Sequence, residues 1–255
     1  MLIGIDIGNT DFTIGFFQGS KLLDTFRMRS KSKKTSDEYG MFLLDALKYR
    51  GYNVKDVEDV IISSVVPDVM HSFTSAFIKF FNLRPIIVGP GVKTGIKIKT
   101  NNPKETGADR IVDGVAAYTL YGGPVIVIDF GTATTYDVVS PDGEFLGGVI
   151  TLGLGSAVKV LSEQAAKLPE IEIRKTKKIV GKDTVSAMQA GSFYGYIGQT
   201  EYIVRKLKEE TGYKDALVVA TGGLGRMVSE ETTCIDHYDQ NLTLKGLQII
   251  YAKQK

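Results

Sequence analysis

The chain has 255 residues, of which 43% are hydrophobic and 24% charged, and its formal net charge is +2. That length buries a proper core either as one large domain or as two of about 120 residues. A lone Cys234 with only His71 and His237 beside it excludes an internal disulfide and argues against a Cys/His zinc site, so any metal is expected on oxygen.

The small net charge gives no ground for a nucleic-acid partner. The basic runs Lys31 to Lys34 and Arg174 to Lys178 lack interleaved aromatics and read as solvated loops. No apolar run reaches the length of a membrane span, and the N-terminus shows no secretory pattern, so no membrane partner and a cytoplasmic location are expected.

Leu2 to Ile5 form a short apolar run, a strand by pattern, that stops at Asp6-Ile7-Gly8-Asn9-Thr10. This cluster has two readings. It is ordinary turn chemistry, or it is a ligand loop in which Gly8 removes a Cβ and Asn9, Thr10 and backbone N–H groups hold phosphate oxygens. Phe12 to Phe17 and Lys21 to Met28, joined by Gln18-Gly19-Ser20, complete a three-stranded meander. Thr35-Ser36-Asp37-Glu38 has the spacing of a capping box, and Tyr39, Phe42, Leu43, Ala46 and Leu47 recur at helical intervals until Gly51. Val60-Ile61-Ile62 is a strand ending in Ser63-Ser64, Pro67-Asp68 opens a helix through Phe81, and Pro85 to Val88 is the next strand. A Lys-rich extended stretch follows, and the order so far is β-β-β-α-β-α-β.

Asn102 to Arg110 leads into a helical pattern from Ile111 to Leu120. Gly107 beside the opposite charges of Asp109 and Arg110 reads either as a surface turn at a helix N-terminus or as a substrate loop. Pro124 to Thr135 then repeats the opening: an apolar strand, Asp129, one apolar residue, Gly131, and the small residues Thr132 to Thr135. The likeness continues through Tyr136 to Val139, the turn Pro141 to Glu144 and the strand Phe145 to Ile150, which makes it a domain-length internal repeat.

Thr151 to Gly155 leads into a helix through Ala166, and the polar stretch Lys167 to Gly181 is expected to be an exposed excursion. Asp183-Thr184 caps a helix from Val185 to about Thr211, roughly 40 Å long if continuous. Ala187, Ala190, Gly191, Gly195 and Gly198 set small residues on or near one face, which suits a dimer or interdomain helix; a plain core helix is the alternative. Ala216 to Ala220 is the last clear strand. It runs into Thr221-Gly222-Gly223-Leu224-Gly225-Arg226, a turn against which a nucleotide can lie or a flexible strand-to-helix link, without the lysine and spacing of a P-loop. Residues 243–252 close the chain as a helix. The expected domains are 1–115 and 116–255, with the closing helix packing on either.

Two halves with matching loops suggest a cleft faced by Asp6 and Asp129. Opposed carboxylates need a cation, and Mg²⁺ carried by a nucleotide, held at Asp6 directly or through water, meets that need while Thr10, Thr132 and loop N–H groups hold phosphate oxygens. Phosphoryl transfer also requires a group to orient the nucleophile. Asp109, at the end of the first half, is the candidate, with Arg110 available to an anionic substrate group.

The duplicated hairpin with DIGNT and DFGTATT and the late TGGLG resembles the superfamily of acetate and sugar kinases, Hsp70 and actin. That resemblance implies an α/β fold of two tandem ribonuclease-H-like domains around an interdomain ATP cleft. Within it, NPKETGADRIVDGVAA, IDFGTATTYDVV and GKDTVSAMQAGSFYGYIGQ are similar to type III pantothenate kinases over most of the chain. The resemblance implies ATP-dependent phosphorylation of pantothenate to 4'-phosphopantothenate by a homodimer that needs Mg²⁺ and a monovalent cation, K⁺ or NH₄⁺.

Carried onto this sequence, Asp6, Ile7, Gly8, Asn9, Thr10, Asp11, Phe12 and Thr13 form the first phosphate loop, Asp129 meets the monovalent cation, and Thr132 contacts ATP with Gly222 and Gly223. Thr100, Gly107, Ala108, Asp109, Arg110 and Thr184 contact pantothenate, with Asp109 as general base, and the long glycine-bearing helix lies at the dimer interface. Asp11 stands where many relatives have Asn, and Thr100 where they have an aromatic residue. Another small-molecule kinase of the superfamily, or a non-catalytic nucleotide-responsive or actin-like protein, is the alternative; the first would lose GADR and GKDT, and the silent regulator would lose Asp6, Asp109 and Asp129.

Overall fold

The computed structural model describes residues 1–30 and 34–255; of the basic run Lys31 to Lys34, residues 31–33 lie outside the described residues. The chain forms two compact units, Met1–Thr119 with Asn241–Lys255, and Leu120–Gln240.

The first unit is built on β1 (Leu2–Ile7), β2 (Asp11–Gln18), β3 (Lys21–Arg29), β4 (Asp59–Ser64) and β5 (Ile86–Ile87), ordered β3-β2-β1-β4-β5. β1, β2 and β3 run antiparallel as a meander, whereas β1, β4 and β5 are parallel. Burial of both faces explains why β1 is apolar up to Asp6. Ile3, Ile5 and Ile7 enter a core with Tyr39 and Leu43 of α1 (Ser36–Tyr49) and Phe73 and Phe77 of α2 (Pro67–Phe81). Leu2 enters a second core with Val112 and Val115 of α3 (Ala108–Tyr121) and Leu244 and Leu247 of α7 (Leu242–Ala252). The closing helix α7 thus packs on β1, β2 and β4. It lies close over α3 because Gly246 has no Cβ; one built there would sit 2.3 Å from the carbonyl oxygen of Val112.

Local signals set the helix ends. Thr35 accepts from the Glu38 N–H while a Glu38 carboxylate oxygen accepts from the Thr35 N–H at 2.8 Å, the expected capping box. Pro67 starts α2, where its missing N–H has no intrahelical partner to lose. β5 is shorter than the expected Pro85–Val88 strand, because Pro85 has no N–H to donate, although the Val88 N–H still reaches the Ile62 carbonyl at 2.8 Å. A further two-residue strand, β6 (Lys97–Ile98), lies in the Lys-rich stretch.

The second unit repeats the plan with β7 (Val125–Phe130), β8 (Ala133–Val139), β9 (Glu144–Leu152), β10 (Leu217–Thr221) and β11 (His237–Tyr238), ordered β9-β8-β7-β10-β11. The register shift between Phe16 and Phe17 in the first meander recurs between Val138 and Val139 in the second. Ile126, Ile128 and Phe130 pack on α4 (Leu154–Gln164), α5 (Thr184–Thr211) and, through Val228, on α6 (Gly225–Ser229). α5 runs 28 residues from the Asp183 cap, whose carboxylate accepts from the Ser186 N–H at 2.8 Å. Its buried face carries hydroxyls as well as apolar groups: Thr134 of β8 bonds the Tyr196 hydroxyl, and Tyr136 lies 3.1 Å from Thr200. Burial pushes the Tyr136 hydroxyl up to about 12.

Residues 167–181 form no helix or strand, are mostly exposed and include no buried residue, the expected excursion. It is nonetheless tied down: Ile171 and Ile173 pack against the second core, Gln189 donates to the Glu172 carbonyl at 3.0 Å, and the Tyr194 hydroxyl donates to the Thr176 carbonyl at 2.9 Å. One expectation is corrected: the small residues of α5 do not all share one environment. Ala190 is buried, whereas Ala187, Gly191, Gly195 and Gly198 are exposed, and nothing lies within 4 Å of a Cβ built on any of those three glycines.

Candidate active site

In the first unit, the carboxyl ends of β1 and β4 gather the chemistry. β1 delivers Asp6, and the turn after it closes when the Gly8 N–H donates to the Asp11 carbonyl at 3.0 Å. A Cβ on Gly8 would lie 3.2 Å from that same oxygen, so the turn tolerates a side chain there poorly. Ser30, just beyond β3, ties the turn down: its hydroxyl donates to the Gly8 carbonyl at 2.7 Å and its N–H to the Thr10 carbonyl at 2.8 Å. Asn9 and Thr10 are exposed. Asp11 does not stand alone as a carboxylate, since Arg27 reaches it at 2.7 Å. Ile7 and Phe12 are fully buried, Phe12 with its ring stacked on Tyr39 and edge-on to Phe73, so these two offer a ligand only their backbone. Thr13 pairs with Asp6 across β2.

The substrate-loop candidates approach the same strand end. The Val65 N–H, just past β4, donates to the Ile7 carbonyl at 3.2 Å, and a Cβ built on Gly107 would lie 3.7 Å from Val65 Cγ1. That Cβ would also lie 2.5 Å from Asp109 Oδ1, so Gly107 leaves room for the carboxylate. Asp109 Oδ1 accepts from the Arg110 N–H at 2.8 Å. Burial raises the Asp109 pKa above the ordinary carboxylate value, and the Arg110 N–H and guanidinium charge oppose the shift without cancelling it. Upstream, Thr100 Oγ1 lies 3.1 Å from Thr106 Oγ1, and Asn102 donates to Glu105 at 2.6 Å, which shapes the approach to Gly107. Ala108 begins α3, and Arg110 is half-buried in its first turn.

In the second unit, β7 delivers Asp129, and the Gly131 N–H donates to the Ala133 carbonyl at 3.1 Å. Thr132 is exposed, and its carbonyl is held by the Ser156 hydroxyl at 2.8 Å and the Gly153 N–H at 3.0 Å. The glycine turn after β10 presses on this loop. Gly222 has φ +90°, and a Cβ on it would sit 2.6 Å from both Asp129 Oδ1 and the Phe130 nitrogen. The Tyr238 hydroxyl donates to the Gly222 carbonyl at 3.0 Å, with the Arg226 guanidinium over the Tyr238 ring. Gly223 is exposed beside it. Thr184 is the first residue of α5 and is exposed.

Sequence reasoning did not single out Ser30, Ser156, Tyr238 or Val65. Ser30 and Ser156 follow no motif and act through backbone carbonyls, while Tyr238 sits on a two-residue strand too short to show a pattern. Among the described residues, no three His, Cys, Asp or Glu side chains gather as a metal cage.

Two α/β units with one strand order, each ending its central strand on a carboxylate beside a glycine-bearing and hydroxyl-bearing loop, define a chain with the ribonuclease-H-like plan of the sugar kinases and actin. The solved activator of 2-hydroxyisocaproyl-CoA dehydratase from Clostridium difficile, with bound ADPNP, shares this fold at a TM-score of 0.55 and 12% identity, over 99% of this chain and 94% of that one. Residues 2–206 match the type III pantothenate kinase family. A type III pantothenate kinase from Agathobacter rectalis is 57% identical over 254 residues, spanning 100% of this chain and 98% of that protein. One from Moorella thermoacetica is 48% identical over 253 residues, spanning 99% of each. The chain belongs to the type III pantothenate kinases, which use ATP to phosphorylate pantothenate in coenzyme A biosynthesis.

Proposed function

We propose that Asp109 is the general base of this reaction. The observation that carries the reading is a partly buried carboxylate with a raised pKa, set in the first turn of α3 where Gly107, having no Cβ, leaves room for it. Asp109 takes the proton of the pantothenate hydroxyl as that oxygen bonds to the γ-phosphorus; the bond from phosphorus to the bridging β–γ oxygen breaks, and ADP leaves. A raised pKa suits the role, because a stronger base accepts the proton more readily.

Asp6 to Thr13 form the first phosphate loop in this reading, with Asn9, Thr10 and loop N–H groups as donors. Asp129, Thr132, Gly222 and Gly223 complete the nucleotide contacts, and Thr100, Gly107, Ala108, Arg110 and Thr184 contact pantothenate. The donor set fits hard cations. Thr13 and Ser63 flank Asp6 in register, Thr135 and Thr221 flank Asp129, and all offer oxygen. Asp6 would hold Mg²⁺ with the nucleotide and Asp129 would hold K⁺ or NH₄⁺; these ions would supply neutralisation of the phosphate charge. The exposed Gly191, Gly195 and Gly198 support a homodimer in which a second α5 lies close against this one, in the cytoplasm.

A purified-enzyme assay coupled to ADP release tests the base. Asp109→Asn is expected to lower kcat by 10²- to 10⁴-fold, about 3 to 5 kcal/mol, with KM for ATP little changed. A variant within threefold of the parent kcat would overturn the assignment.

A further inference from the structure

We infer that Ser63 is a positioning residue for phosphoryl transfer: its buried hydroxyl holds the Asp6 carboxylate in the orientation that receives the metal–nucleotide. Ser63 lies on β4 as the parallel partner of Asp6 on β1, so both side chains leave the sheet on the same face, beside each other. On that face Leu2 of β1 and Ile61 of β4 belong to the apolar core under α3 and α7. An apolar residue would therefore suit position 63. Instead Ser63 is 0% exposed, and among the described residues its Oγ has no hydrogen-bond partner. A buried hydroxyl left unpaired carries its full desolvation penalty, so its retention calls for a state of the site in which it is paired. The neighbour in register able to accept from it is the Asp6 carboxylate.

The second unit supports this independently. Thr221 on β10 is the parallel partner of Asp129 on β7 and is likewise buried, so the duplicated fold sets a hydroxyl beside its strand-end carboxylate twice, at the same register. The antiparallel neighbours, Thr13 and Thr135, add a hydroxyl on the other side of each. A carboxylate seated between hydroxyls on both flanking strands presents a fixed oxygen to a cation instead of sampling rotamers, and ordering of that kind matters only when the cation arrives.

The inference rests on the reading of Asp6 as the Mg–nucleotide carboxylate, and the experiment separates the two. Binding of a fluorescent ATP analogue is titrated with Mg²⁺ for the parent, Ser63→Ala and Ser63→Cys, alongside thermal unfolding without ligand and steady-state kinetics. Ser63→Ala is expected to raise the Mg²⁺ concentration for half-maximal binding about tenfold, the worth of one hydrogen bond to a charged group. KM for ATP rises in step, KM for pantothenate stays unchanged, and the unfolding midpoint holds or rises because an unpaired buried hydroxyl is gone. Ser63→Cys, with a weak donor of similar shape, falls between them and remains readable if the alanine variant folds poorly. Unchanged Mg²⁺ dependence in both variants, or a lowered midpoint with unchanged binding, overturns the role of Ser63 alone. Nucleotide binding by the parent that ignores Mg²⁺ overturns the reading of Asp6, and this inference with it.

Discussion

The loop after Asp6 and the loop after Asp129 begin alike and are secured differently. The first has four residues between the paired positions Ile7 and Phe12; the second has three, between Phe130 and Thr134. Ser30 ties the first through its hydroxyl and N–H and leaves Asn9 and Thr10 exposed. At the corresponding place after the third strand, the second unit has Gly153, where a Cβ would lie close against the Gly131 carbonyl oxygen, and Gly222 presses on Asp129 and Phe130. The first loop thus offers side chains, and the second offers backbone held at close range. Substitutions should reveal that division: the second loop should resent any added atom, and the first should resent altered charge.

Beneath the loops the contrast is in the core, and there the largest effect is expected. Phe12 and Thr134 occupy the same position of the repeat. Phe12 is fully buried among Tyr39 and Phe73, whereas Thr134 is buried against the Tyr196 hydroxyl. Phe12→Ala should cost about 3 to 5 kcal/mol by urea unfolding, the usual range for a large aromatic removed from a packed core. Thr134→Val keeps the volume and removes one of the partners of the Tyr196 hydroxyl, which also bonds Thr151 and the Leu154 backbone, and about 1 kcal/mol is expected. Equal losses at the two sites would show that the halves are stabilised in the same way after all.

Next comes the glycine contrast. Gly222→Ala meets backbone and carboxylate atoms at 2.6 Å and a φ of +90°, whereas Gly131→Ala meets its nearest atoms at 3.3 Å. The first should cost about 2 to 4 kcal/mol of stability and displace Asp129, and the second about 1 kcal/mol, as adjustments of a few tenths of an ångström suffice. Measuring ATP affinity with stability sharpens the comparison, since Gly222→Ala should weaken nucleotide binding even at temperatures where it stays folded.

Asp109 gives a smaller effect on stability, with a definite sign. Its folded-state pKa is raised, so between the unfolded and folded values the native state holds more protons than the unfolded state. Stability is therefore greater on the acid side and falls as pH rises through the folded pKa. Asp109→Asn should flatten that slope and leave the protein slightly more stable at neutral pH while kcat collapses. In the parent, the acid limb of kcat should lie above the range of an ordinary carboxylate. A limb at or below that range would remove the basis for Asp109 as a tuned base.

Both meanders, the capping box at Thr35, the helix cap at Asp183 and the start of α2 at Pro67 were legible because they depend on neighbours within a few residues. The repeat was legible because it doubles a pattern that alone is common turn chemistry. What stayed hidden depends on distant partners. Strand β11 has two residues and α6 five, too few for periodicity to register. Ile171 and Ile173 looked solvated because charge surrounds them, and only the core they meet gives them a role. The Asp6–Ser63 pairing arises from strand register across more than fifty intervening residues, so Ser63 read as a strand end and nothing more.

The last contrast concerns charge. Asp11 puts a carboxylate on a loop proposed to hold phosphate, an unfavourable neighbour for an anion, and the second loop has Ala133 before its following strand position, with no charge to manage. Arg27 of β3 answers this by pairing with Asp11 at 2.7 Å. The pair is more than half exposed on the arginine side, so its contribution to folding is small; Arg27→Ala should change stability by less than about 1 kcal/mol. Its effect on nucleotide binding should be clearer, because the freed carboxylate then faces the phosphates unopposed. KM for ATP should rise roughly three- to fivefold at low salt and return toward the parent value as added KCl screens the repulsion. Arg27→Ala combined with Asp11→Asn should restore ATP affinity, since the charge that needed a partner is gone. An Arg27→Ala defect that persists in the double variant at every salt concentration would mean that Arg27 serves the loop by packing rather than by charge.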